Sequence, residues 1–230
     1  MRHRLLRWIF IRIPLMWVAL SLALVLLFKY VPVLYTPLMV KRTVEFRADD
    51  SYSFHRIWTP LDKISPNMVK AVIASEDNLF ATHNGFDTEE VKKMYKAHVE
   101  KGKKIRGCST ISQQTAKNVF TFGSQNIARK AVEAWFTVLI EKIWGKERIM
   151  EVYLNVAETG IGTYGIQAAA QKYYGIDASK LSLTQSVDIA LCLPNPLKRT
   201  PGYIHTKMSS REKAIISLTG KIAYPDWTDK

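Results

Sequence analysis

Cysteine is scarce, with only Cys108 and Cys192 in 230 residues. Both fall far apart in stretches that read as helix or helix edge, so no disulfide framework is expected and each reads as a small apolar side chain. Also missing are Cys and His pairs at zinc spacing, any run that alternates basic and aromatic residues, and any groove-reading motif. Nucleic acid is therefore not an expected partner. Acidic residues are few, 20 against 33 Lys and Arg, leaving a net charge of +13. With nucleic acid set aside, that excess fits a phosphate-rich ligand or an anionic membrane surface. No internal repeat is present. The chain is 47% apolar and 23% charged, an ordinary composition for a folded protein. Its length allows an anchor and one catalytic domain.

Long apolar runs are confined to the N-terminus. From Ile13 to Phe28 only Pro14 and Ser21 interrupt the run, and Trp8 to Ile11 extend it backwards past Arg12. With Arg12 snorkelling, the stretch reaches the roughly 20 residues that a bilayer requires. Arg2, Arg4, Arg7 and Arg12 precede it and only Lys29 follows closely, so the N-terminus is expected in the cytoplasm and the rest outside. Phe28-Lys29-Tyr30-Val31-Pro32 offers no small-x-small cleavage site, which favours an uncleaved anchor. A buried core helix would not be apolar all round behind a cluster of arginines.

The expected organisation is a basic tail and transmembrane anchor over residues 1–30, a membrane-proximal tether over 31–57, and a mainly α domain over 58–230. Pro32, Pro37 and Pro60 punctuate the tether region, and Thr43-Val44-Glu45-Phe46 suggests a short strand. Beyond it the pattern is helical. Ser65-Pro66 reads as a cap with its first turn, and Asp87-Thr88-Glu89-Glu90 as a capping box. Gly175 reads as a helix stop, and Leu193-Pro194-Asn195-Pro196 as another.

Three of these helices bring polar groups to one face. Val69, Val72 and Ile73 form an apolar stripe that points Glu76 towards the interior, where a carboxyl group is harder to ionise and suited to proton transfer. An isolated helix-end Glu would equally well sit in solvent. A helix beginning near Ser109 aligns Thr110, Gln113, Gln114 and Lys117, opposite Ile111, Thr115, Val119 and Phe120. Such a stripe is commonly just a solvated face, but two amides beside an ammonium can hold sugar hydroxyls and phosphate together. A third helix, about Asn126 to Trp144, aligns Arg129, Lys130, Glu133 and Thr137. Ala131, Ala134, Trp135, Val138 and Leu139 are expected on its core side. A surface ion pair is the plain alternative there. Together the three helices could frame an acid/base step at a sugar beside a diphosphate leaving group.

Four segments carry a family resemblance. Glu76-Asp77-Asn78-Leu79-Phe80-Ala81-Thr82-His83-Asn84-Gly85 resembles the E-D-x-x-F-x-x-H-x-G motif of the bacterial peptidoglycan glycosyltransferases. Gly107 to Asn118 is similar to their G-x-S-T-I-[ST]-Q-Q-x-x-K-N motif, and Arg129-Lys130-Ala131-Val132-Glu133 to R-K-x-x-E. Lys146 to Asn155, with Ile149, Glu151 and Tyr153-Leu154-Asn155, resembles the helix that follows. The match runs from about Trp58 to Pro196 in the family's order, and Leu193 to Pro196 resembles its monofunctional branch.

The resemblance implies a lysozyme-like, two-lobed α domain whose groove opens near the membrane. It implies Glu76 as the general base that activates the 4-hydroxyl of an acceptor N-acetylglucosamine in lipid II. That oxygen attacks C1 of the donor N-acetylmuramic acid, with inversion to a β-1,4 link and release of polyprenyl diphosphate. Glu133 is the second catalytic carboxylate, with a divalent cation (Mg2+ or Mn2+) near it; Lys117 and Arg129 share the diphosphate charge. Asp77, Phe80 and His83 shape the site, and Thr110, Gln113, Gln114, Asn118 and Lys130 complete the substrate-binding set. Implied partners are lipid II, the nascent glycan strand, the cytoplasmic membrane and other cell-wall synthesis proteins.

Two positions depart from the family pattern. Cys108 replaces a small Gly or Ala, and Gln125 stands where some relatives carry an arginine that grips the diphosphate. Arg129, Lys130 and the basic loop from Lys101 to Arg106 offer substitute charge. A lytic enzyme would share the fold and a catalytic Glu but needs no diphosphate grip. A catalytically silent membrane scaffold is the other rival. Ser210-Arg211-Glu212-Lys213 fits S-x-x-K, yet no K-T-G accompanies it, and a transpeptidase is not expected.

Overall fold

The computed structural model describes residues 8–49, 52–102, 109–122 and 126–227. Arg2, Arg4, Arg7, Cys108, Gln125 and residues 103–106 of the basic loop lie outside them.

The apolar N-terminus forms helix α1 (Ile13–Tyr30). The stretch Phe10–Tyr30 has mean hydropathy 2.3 and is long enough to cross a membrane, with only 11% of its most apolar window buried. That exposure argues against a core helix. One side of α1 nevertheless docks on the domain. Trp17 packs against Trp135 at 5.4 Å between ring centroids. Trp135 Nε1 donates to Ser21 Oγ at 3.1 Å, and Trp144 Nε1 donates to the Val25 carbonyl at 2.7 Å. Carbonyls at the end of α1, orphaned as at any helix end, find one arginine: Arg148 Nη2 donates to Phe28 O and Val31 O, both at 2.8 Å.

Thr43 to Glu45 are helical rather than extended, at the end of α2 (Pro37–Glu45), with Phe46 as its C-cap. Thr36 accepts from Met39 N at 3.2 Å and Pro37 occupies the first turn, a start signal that outweighs the β-branched residues downstream. Met39 is fully buried, and α2 packs on α5 (Ile111–Phe120).

Strand β1 (His55–Arg56) joins β2 (Glu158–Gly160) and β3 (Thr163–Tyr164) in a sheet of order β1-β3-β2. His55 pairs with Thr163 in parallel, while β2 and β3 pair antiparallel with an irregularity between Glu158 and Gly160. Gly162, at φ +67°, makes the turn between them; a Cβ there would stand 2.2 Å from Ser53 O, so only glycine fits.

The centre of the domain is α3 (Pro66–Glu76), packed between α9 (Leu183–Cys192) and α11 (Ser209–Lys221). Met68, Val69 and Val72 are fully buried on it. Pro66 opens the helix as read, but Ser65 Oγ donates to Leu181 O at 2.9 Å instead of capping. Asp87 does cap α4 (Thr88–Lys101), accepting from Glu90 N at 2.8 Å, and Gly175 ends α8 (Ile166–Tyr174) in the left-handed conformation at φ +66°. Helices α5, α6 (Ile127–Ile143) and α7 (Gly145–Val156) form the wall opposite α3. Helix α10 (Pro201–Lys207) completes the described helices between α9 and α11.

The buried face of α6 differs in part from expectation. Leu139 is buried as expected, but so are Glu133, Phe136, Thr137 and Ile140, whereas Ala131 and Val138 are exposed and Trp135 meets α1. Glu133 and Thr137 of the polar stripe thus face the domain interior, and Trp135 packs on α1.

Candidate active site

Helix α3 delivers Glu76 at its last turn. The carboxyl is half-buried and accepts from Gln114 Nε2 at 3.0 Å and from Ser75 Oγ at 3.3 Å. Burial pushes its pKa above the usual carboxylate range, while the Gln114 and Ser75 donors hold it back by favouring the charged form. Gln114 is itself aimed by Tyr153 on α7, whose hydroxyl donates to Gln114 Oε1 at 3.2 Å. Tyr153 is buried, and desolvation drives its pKa far up, so it stays a neutral donor.

Beyond Gln114 a cavity of about 370 Å³ opens. It is lined by Gln114, Lys117 and Asn118 of α5, Tyr153 of α7, Glu158 of β2, Leu193 to Leu197 after α9, and Leu38 and Arg42 of α2. The Lys117 ammonium reaches into this space. Crowding by protein atoms lowers its pKa; Glu133 opposes that, and Arg129 and Lys130 add to it. Lys117 is exposed to the cleft among other cations, and a bound anion would strengthen its preference for the charged form.

Asn126 caps α6 by accepting from Arg129 N at 2.8 Å, which places Arg129, Lys130 and Glu133 one turn on. Glu133 is buried, with Oε2 accepting from Arg129 Nη1 at 2.7 Å and Oε1 engaged by Lys130 Nζ. It is therefore an internal counter-ion, not a surface pair. The three carry a net charge of about +1 beside Lys117, suited to a multiply charged anion.

Asp77, Phe80, His83, Thr110 and Gln113 stand behind this cleft as scaffold. His83 Nδ1 accepts from Gly85 N at 3.0 Å, which leaves the proton on Nε2 for donation to Asp77 at 2.9 Å. Asp77 Oδ2 also accepts from Ile111 N at 2.9 Å, tying the loop after α3 to the start of α5. Thr110 and Gln113 close a reciprocal capping box on α5, and Thr110 Oγ1 donates to Gly85 O at 2.7 Å. Phe80 is fully buried, with Lys146 Nζ 4.6 Å from its ring centroid.

The sequence reading passed over Glu141, which takes Lys146 Nζ at 2.7 Å and also meets Ser112 Oγ. Their spacing across a helix break carries no periodic signal. It also gave no role to Tyr153, Glu158 or Arg42. Tyr153 falls within a quoted motif, but Ile149 and Met150 beside it make it look like core.

For a divalent cation, Glu133 is a poor fit as folded, because Arg129 and Lys130 already occupy both of its oxygens. Among the described residues, one group has metal-ligand spacing: Asp188, His205 and Glu212, with ligand atoms within 4.8 Å of one another. There both imidazole nitrogens face carboxylates, Nε2 at 3.1 Å from Asp188 Oδ2 and Nδ1 at 3.0 Å from Glu212 Oε1.

Comparison with known proteins identifies the family. The transglycosylase family model matches residues 43–219. A biosynthetic peptidoglycan transglycosylase of Caulobacter vibrioides is 49% identical over 220 residues, covering 96% of this chain and 93% of its own. Proteins of the same description from Bacteroides thetaiotaomicron and Pseudomonas putida are each 48% identical, over 87% and 90% of this chain and 81% and 89% of theirs. With a helical cleft of this make-up and a family match across most of its length, the chain belongs to the transglycosylase family.

Proposed function

We propose that this protein is a membrane-anchored peptidoglycan glycosyltransferase that lengthens glycan strands from lipid-linked disaccharide, with the 4-hydroxyl of N-acetylglucosamine in lipid II as acceptor. The observation that carries the reading is the hydrogen bond from Gln114 to Glu76, which joins a desolvated carboxyl group to a cleft containing Lys117. Glu76 is the general base. Its raised pKa brings it nearer the operating pH, and the Gln114 amide steadies its charged form.

As the acceptor oxygen attacks C1 of the donor sugar, Glu76 takes its proton and the bond to the diphosphate oxygen breaks with inversion. Charge building on the leaving diphosphate is met by Lys117, Arg129 and Lys130, with Glu133 holding the last two in place. A divalent cation would supply further charge neutralisation on the diphosphate. Because it would have to share Glu133 with Arg129 and Lys130, no step here depends on it.

Helix α1 is the membrane anchor, with the N-terminus in the cytoplasm and the cleft outside. Only Val31 to Thr36 separate α1 from α2, so the cleft stays close to the bilayer surface where a lipid-linked substrate resides. Purified protein given lipid-linked disaccharide should make glycan polymer. Soluble fragments released from intact peptidoglycan, with no polymer formed, would overturn the proposal in favour of a lytic enzyme.

A further inference from the structure

The cleft is lined in part by α2, a helix that none of the four motifs includes. Arg42 lines the cavity there together with Leu38, in the same enclosure as Lys117. Its guanidinium is fixed on two sides. Nε meets the Glu158 carboxylate at 3.1 and 3.3 Å, and Nη1 donates to Glu45 Oε2 at 2.7 Å. Nη2 has no partner among the described residues. The Arg42 side chain is 18% exposed, that of Glu158 only 5%. Glu158 is thus a buried strut, and Arg42 is the group with donors left for a ligand.

We propose that Arg42 is a positioning residue for the glycosyl transfer, donating from Nη2 to a neutral oxygen of a substrate sugar, a hydroxyl or an acetamido carbonyl. This inference rests on the glycosyltransferase reading of the cleft. The charge balance selects the ligand: Glu45 and Glu158 together offset the single charge of Arg42, so this part of the cavity does not attract a second phosphate. The surplus positive charge lies instead around Lys117, Arg129 and Lys130. Holding two edges of the guanidinium to carboxylates also removes most of the rotamer freedom that a long side chain otherwise loses on binding. Helix α2 would thereby orient the substrate within the cleft.

The test compares wild type, Arg42→Ala and Arg42→Lys in the full-length protein. It reads kcat and KM for lipid-linked disaccharide, and the inhibition constant of polyprenyl diphosphate, which shares the phosphates but has no sugar. Arg42→Ala should raise KM about ten-fold, as expected for a lost hydrogen bond of roughly 1.4 kcal/mol, and leave inhibition by polyprenyl diphosphate unchanged. Arg42→Lys should recover part of the loss. A rise in both constants would overturn the proposal by showing a phosphate contact. An unchanged KM alongside a lower Tm would overturn it by showing a purely structural role. If Arg42→Ala does not fold because Glu158 is left charged and unpaired, Arg42→Ala combined with Glu158→Gln answers the same question. Failure of the wild type to polymerise would instead count against the glycosyltransferase reading itself.

Discussion

Gln114 donates to Glu76 from one end of its amide and accepts from Tyr153 at the other, at 3.0 and 3.2 Å. The amide therefore has one productive orientation, set by a tyrosine that burial keeps protonated. Two opposed influences act on the carboxyl: desolvation raises its pKa, and the amide lowers it.

Replacing Gln114 with Met keeps the volume and removes the donor. A hydrogen bond to a charged group contributes roughly 1.5–3 kcal/mol, and one pKa unit corresponds to about 1.4 kcal/mol. The acidic limb of kcat/KM should therefore move up by about one unit, with activity at neutral pH reduced and partly recovered in more alkaline buffer. An acidic limb that stays in place would remove Gln114 from control of Glu76.

Asp77 is predicted to matter for folding more than for turnover. Its carboxylate satisfies His83 Nε2 and Ile111 N, and Asp77→Ala leaves both buried donors without an acceptor. The cost should be about 3 kcal/mol, or a Tm lower by about 6–12 °C for a chain of this size. Thermal unfolding measures it. Full thermal stability in this variant would show that the loop after α3 is held by other contacts.

A pH dependence of stability is expected at Asp188. Burial pushes its pKa up to about 6 from 3.8, partly offset by Tyr174 and His205. A raised folded-state pKa means that the stabilising contribution belongs to the protonated form. It is complete below about 3.8 and is lost as pH rises through about 6. The Tm of wild type should therefore fall relative to that of Asp188→Asn between pH 4 and 7. A difference that is flat across that window, or of opposite slope, contradicts the assignment.

Much of the site was legible because helical spacing and end signals are local. Glu76 is offset from Val69, Val72 and Ile73 by whole turns, and Asn126 and Gly175 bound their helices as read. The missed features depend on tertiary contacts. Thr43 to Phe46 looks extended until Thr36-Pro37 is seen to start a helix that docks through Met39. Glu158 and Arg42, on distant segments, gain meaning only when the fold brings them together. The inward face of α6 carries Leu139 as expected but also the buried Glu133 and Thr137, while Trp135 meets α1. Periodicity alone cannot say which side of a helix faces an anchor and which the domain.

Topology has its own test. Protease added outside sealed right-side-out spheroplasts should remove the domain beyond Tyr30, because the arginines before α1 favour a cytoplasmic N-terminus. Complete protection of the domain would reverse the orientation.

The central claim is that Glu76 takes the proton from the acceptor hydroxyl. The most direct measurement is the polymerisation rate of Glu76→Gln with lipid-linked disaccharide, alongside its Tm and its affinity for that substrate. The amide keeps the shape and a hydrogen-bonding partner for Gln114 but cannot accept a proton as a base. Turnover should fall by about two orders of magnitude or more, the usual scale of general-base loss, with Tm and affinity close to those of wild type. Polymerisation at a near-normal rate by Glu76→Gln would contradict the account.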